Sequence, residues 1–110
     1  MDHVSLIELA DEQLRTAASS SSGRSSSTIH GGSGHRLRQT LIALAAGRTL
    51  DEHENPGEAT LQVVHGNVRL TSGDQLWDGG AGSYVVIPSG RHALEAITDS
   101  AVLLTVVALV

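Results

Sequence analysis

Two histidines and an asparagine, His53, Asn55 and His92, have the side-chain types and spacing to hold a metal or a small polar ligand. Residues two apart on a β-strand share a face, so His53 and Asn55 point the same way if their segment is extended. His92 follows Pro88-Ser89-Gly90, a turn that can swing the next strand across the same cavity. Three groups from two stretches then converge, as a metal site requires. Two imidazoles and one amide are a poor cage for zinc, which takes about four ligands. They suit a weakly held divalent transition metal, Ni, Cu, Fe, Mn or Zn, with waters completing the shell. Without a metal, the same side chains line a polar pocket and hydrogen-bond one another, water or a ligand. Arg91 is a candidate partner for a small carboxylate or sugar acid. It can equally form a salt bridge with Glu95 or an acid at the rim.

The other histidines point less clearly to chemistry. His30 and His35 flank the glycines of His30-Gly31-Gly32-Ser33-Gly34-His35 and together could reach a metal, although a surface loop is the plainer reading. His65 sits beside Gly66 and is expected in solvent, and His3 lies in the N-terminal tail. No Ser stands in a G-x-S-x-G elbow, and neither a phosphate loop nor a dinucleotide fingerprint occurs.

The flanking residues add a frame. Gly47 precedes His53 by six positions, and Gly66 closes that stretch. The second stretch runs Gly82-Ser83-Tyr84-Val85-Val86-Ile87-Pro88-Ser89-Gly90-Arg91-His92. In this order, joined by a turn-rich segment, the two stretches resemble the paired motifs of the cupin superfamily, specifically the small single-domain RmlC-like cupins. The resemblance extends from about Ile29 onward. It implies a jelly-roll barrel with a metal held at one end. This chain departs from the pattern in three places. Asn55 stands where the family has His, Ala59 stands where it has Glu, and the segment between Gly90 and His92 is one residue short. Glu58 is the nearest carboxylate, but a one-residue shift sets it on the opposite face of a regular strand.

The elements that must position these residues follow from patterning. Ser5 to Ala18 is predicted to be a helix: Ser5-x-x-Glu8 fits a capping box. Leu6, Ala10, Leu14 and Ala17 recur at helical spacing. Ser19 to Ser27, nearly all Ser, is expected to be a flexible link. Strands are predicted over 37–45, 59–64, 67–71, 75–77, 84–87, 93–97 and 102–108, rich in Val, Leu, Ile and Thr. Turns are expected at His65-Gly66-Asn67, a tight hairpin, at Ser72-Gly73-Asp74 and at Asp78-Gly79-Gly80. The organisation is therefore a helix over 1–18, a Ser-rich linker over 19–28 and a cupin domain over 29–110. The fold class is all-β, a cupin-type jelly-roll barrel with one N-terminal α-helix.

Composition narrows the partners. The formal charge is −5 and all seven basic residues are Arg, scattered along the chain, which argues against nucleic acid as a partner. No Cys occurs, so nothing implies disulfides. No signal-peptide pattern is present. The longest apolar run, Ala101 to Val110, is short of the about 20 residues a span needs, so no membrane partner is expected. A cytoplasmic protein is the expectation. The core holds no Phe, one Trp and one Tyr, so aliphatic residues fill it, and a second subunit is expected to add stability as a homodimer. Three functions remain: a module binding a small-molecule ligand in the barrel pocket, a metal-dependent enzyme such as a dioxygenase or isomerase, and a structural or regulatory dimer. One barrel hosts many activities, so fold alone does not choose among them.

Overall fold

Alternating burial along the chain folds it into two antiparallel sheets with one helix on the outside. The structure, a computed structural model, describes residues 1–54 and 57–108, with the side chains of 52–54 set aside. Helix α1 spans Leu6–Ser19, and the Ser5 hydroxyl accepts from the Glu8 amide at 3.3 Å, as the capping pattern predicts. The strands are β1 (Arg24–His30), β2 (Leu37–Leu44), β3 (Thr49–Glu54), β4 (Glu58–His65), β5 (Asn67–Ser72), β6 (Gln75–Gly80), β7 (Tyr84–Val86), β8 (Arg91–Ala96) and β9 (Ser100–Val107). They form a five-stranded sheet in the order β1-β2-β9-β4-β7 and a four-stranded sheet in the order β3-β8-β5-β6. None of the described helices is long and apolar enough to cross a membrane.

The core lies between the sheets. Leu44, Leu61, Val63 and Val102 from the five-stranded sheet meet Val68, Leu70, Leu94 and Ala96 from the four-stranded sheet. Period-two burial produces this: on β8, His92, Leu94 and Ala96 are buried while Arg91 is exposed. A second, smaller apolar cluster seats the helix. Ala10 packs with Leu41, Ala101 and Leu103 on the outer face of the five-stranded sheet, joined by Leu6, Leu9, Leu14 and Ile29.

The Ser-rich stretch departs from expectation. Strand structure begins at Arg24, inside the segment expected to be flexible, and β1 pairs antiparallel with β2 from Arg24↔Leu44 onward. Its own apolar content is too low to order it. Partners supply the order instead: the backbone ladder to β2, the Ser25 hydroxyl bonded to the Gln13 side chain, and Ile29 tucked under α1. Two turns also differ. His65-Gly66-Asn67 is not a hairpin, because β4 and β5 belong to different sheets; it is the corner where the chain crosses between them. Asp78-Gly79-Gly80 is part of β6, with Asp78 opposite Arg69 and Gly79 opposite Val68. Gly79 is there for space, since a Cβ would collide with the Trp77 ring. The β5–β6 turn stands as expected, with Gly73 at φ 59°.

Candidate functional site

His92 enters the barrel because the backbone turns sharply just before it. Gly90 has φ 99°, a conformation open to glycine, and β8 begins at the next residue. His92 therefore faces inward and is 4% exposed, although it is one of the few polar side chains in the interior. Its Nδ1 lies 3.4 Å from the Gly90 carbonyl oxygen. In the tautomer where Nδ1–H donates to that carbonyl, Nε2 carries the lone pair.

His92 opens onto an apolar lumen. A cavity of about 20 Å³ is lined by Ile42, Leu50, Leu61, Leu70, Ile87, Leu94 and Leu104 besides His92 itself. That volume is water-sized. The strand register sets His53 opposite His92 and Glu54 opposite Arg91, after a shift between Leu50 and His53. The two sequence stretches are thus neighbours in one sheet, β3 against β8. The His53 side chain and the whole of Asn55 lie outside the described residues.

The remaining candidates fall elsewhere. Arg91 precedes His92 on the strand and stands on the other face, exposed, beside the β5–β6 turn, where its carbonyl accepts from the Ser72 hydroxyl at 2.9 Å. Glu58 is exposed, and its neighbour Ala59 turns into the core. The face that a ligating carboxylate would need is therefore occupied by a methyl group. His65 is exposed. His30 and His35 close the β1–β2 loop with ring centroids 4.9 Å apart, away from the barrel interior. Arg69, which the spacing did not single out, forms the ion pair Arg69–Asp78 at 2.8 Å across β5 and β6. This holds the Asp78 carboxyl below its ordinary range and the Arg69 guanidinium above its own, through their mutual hydrogen bond.

Solved structures share this fold. A conserved protein of unknown function from Streptococcus pyogenes superposes with a TM-score of 0.71 at 27% identity, over 80% of this chain and 76% of that one. An RmlC-like cupin from Desulfovibrio desulfuricans gives 0.67 at 25% identity, over 76% and 81%. A cupin superfamily protein from Desulfitobacterium hafniense gives 0.71 at 20% identity, over 76% of each chain. The chain has the fold of a small cupin domain. No family model matches this cupin, and no curated protein does either.

Cupins imply a metal, so the donor set of this one is the test. Among the described residues no group of three or more His, Asp or Glu side chains converges. Within the described lumen wall His92 is the lone metal-ligand type, and the rest is Leu and Ile. A divalent transition ion takes about four to six donors. The described residues do not fit such an ion by themselves.

Proposed function

We propose that this cupin binds a small, largely apolar ligand in the barrel, with His92 as the polar group that orients it. The observation that carries the reading is the buried His92 imidazole set, among the described residues, in a wall of leucine and isoleucine. Ligand pockets are mostly apolar with a few placed polar groups, and here the polar group supplies one donor or acceptor. His53, opposite His92 in the strand register, and Asn55 are the further candidate contacts in this reading. The cupin works as a homodimer, a second copy covering the sheet face that α1 leaves bare.

The lumen must swell to hold more than a water, so the test is graded in size. Methyl NMR of the Leu and Ile side chains, with alcohols from ethanol to cyclohexanol at millimolar concentration, is expected to shift Leu61, Leu70, Ile87 and Leu104. His92→Leu should remove the preference for the alcohol over the parent alkane. Methyls that stay unmoved across the series would overturn the reading.

The register of His53 against His92 favours a second reading, a weakly held Ni, Cu, Fe, Mn or Zn ion. Plasma mass spectrometry of protein purified without a His-tag decides it. About one equivalent of metal, lost in His53→Ala, supports a metal site and reopens the enzyme reading. No metal after reloading removes it.

A further inference from the structure

A groove on the flank of the barrel, separate from the His92 site, has the features of an anion site. The five-stranded sheet ends in β1 and the four-stranded sheet ends in β3. On β1, Ser25, Ser27 and Ile29 are the partly buried residues, and Ser25 and Ile29 contact α1, so Arg24, Ser26, Thr28 and His30 take the other face. That face is exposed along its whole length. Between β1 and β3 lies a groove of about 500 Å³ whose wall includes Ser22, Arg24, Ser26 and Thr40, with Ile42 and Leu50 as its apolar part. A volume of that order is typical of small-molecule sites.

Two arginines lie next to Gly23, at the start of β1. Arg24 lines the groove, and the Arg48 side chain lies directly over Gly23, where a Cβ would collide with it. Gly23 sits between Ser22 and Arg24 at φ 68°, and its bareness is what lets Arg48 come in. Neither guanidinium has an ion-pair or hydrogen-bond partner among the described residues, in contrast to Arg69 with Asp78. In a chain of net charge −5, Arg24 beside the groove's serine and threonine hydroxyls, with Arg48 against the preceding Gly23, favours an anion there. Guanidiniums match carboxylates bidentately, and the hydroxyls can donate to the same oxygens. The apolar side chains beside them suit a hydrocarbon body rather than a bare ion.

We infer that the β1–β3 groove binds a small carboxylate carrying a short apolar chain, its carboxylate on Arg24 and Arg48 and its chain over Ile42 and Leu50. Ile42 and Leu50 also line the lumen, so they are the wall between the groove and the His92 cavity.

The test is amide and methyl NMR of the full chain titrated with acetate, hexanoate and inorganic phosphate. Hexanoate is expected to move Arg24, Ser26, Thr40, Ile42 and Leu50, with affinity rising about twofold or more per methylene over acetate. Arg24→Gln or Arg48→Gln should each weaken it about tenfold, and salt should weaken it further. These surface changes leave the core untouched, so loss of folding does not confuse the result. Phosphate binding as tightly as hexanoate overturns the role of the apolar wall. Shifts confined to Leu61, Ile87 and His92 place the acid in the lumen and overturn the groove. Shifts that follow protein concentration rather than anion assign the groove to a second copy and overturn it as well.

Discussion

At the scale of single residues, Ala59 bears on whether the barrel can hold an ion. It faces the core from β4, at the position where the resemblance places a ligating Glu, and the neighbouring Glu58 faces solvent. A methyl there supplies no ligand, and the described lumen wall around His92 is Leu and Ile, which suits an apolar ligand better than an ion. Ala59→Glu reverses this choice. Without metal, the carboxylate must be buried unpaired or drive itself out, so the variant is expected to lose about 3 kcal/mol of stability. With Ni or Mn added, part of the loss should return, because binding to the folded state alone stabilises it. Urea unfolding with and without the metal reads both effects. A loss that no metal relieves would mean that position 59 and the histidine pair do not share a site.

At the scale of elements, the crossing between the sheets is the most constrained piece of backbone. Gly66 has φ 84°, and a Cβ there would collide with the Asp99 carbonyl oxygen and the Ser100 hydroxyl. The buried Ser100 hydroxyl shares its proton between the Asn67 carbonyl at 3.0 Å and the Thr98 carbonyl at 2.8 Å. The Asn67 carbonyl also accepts from the Ile97 amide, at 2.9 Å. Gly66→Ala is therefore expected to cost about 3 kcal/mol or more, and Ser100→Ala only about 1 kcal/mol, both measured by urea unfolding. Equal costs would mean that the corner is held by the hydroxyl and not by the glycine. The same corner shows what was legible in the sequence. Gly66 marks a turn, but turn chemistry does not say which strands the turn joins, so a sheet crossing reads as a hairpin. Strand β1 was hidden because its order comes from β2 and α1 rather than from its own serines. Gly79 misled in the other direction, since it is required by the Trp77 ring and not by a bend. The alternating Val, Leu and Ile strands and the helix cap were legible because local pattern and tertiary role agree there. At the site, the inward turn of His92 followed from Gly90, and the outward turn of Arg91 follows from simple alternation that its adjacency to His92 obscured.

At the scale of the whole molecule, α1 seals only part of the outer face of the five-stranded sheet. It covers Leu41, Ala101 and Leu103. Beside that patch, one row of paired residues crosses four strands: Gln39 against Thr105, Thr105 against Thr60, and Thr60 against Val86. The Gln39 side-chain amide donates to the Thr105 hydroxyl oxygen at 3.2 Å, and none of the four residues is charged. Exposed Leu37 and Val107, cross-strand partners, flank it on one side, with the exposed Glu58 opposite Val107 at the end of that row, and exposed Tyr84 flanks it on the other. An uncharged row of this kind can lie against its own copy about a two-fold axis, since the same residues then meet from both subunits. Size-exclusion chromatography with light scattering at micromolar concentration is expected to give twice the chain mass of 11.4 kDa. Val86 is 64% exposed in the single chain, so Val86→Glu should leave the fold and its circular dichroism intact. In a dimer the same change sets two carboxylates into the contact, and the mass should fall to that of one chain. A wild-type monomer at that concentration, or a Val86→Glu protein that stays dimeric, would remove this face as the contact between copies.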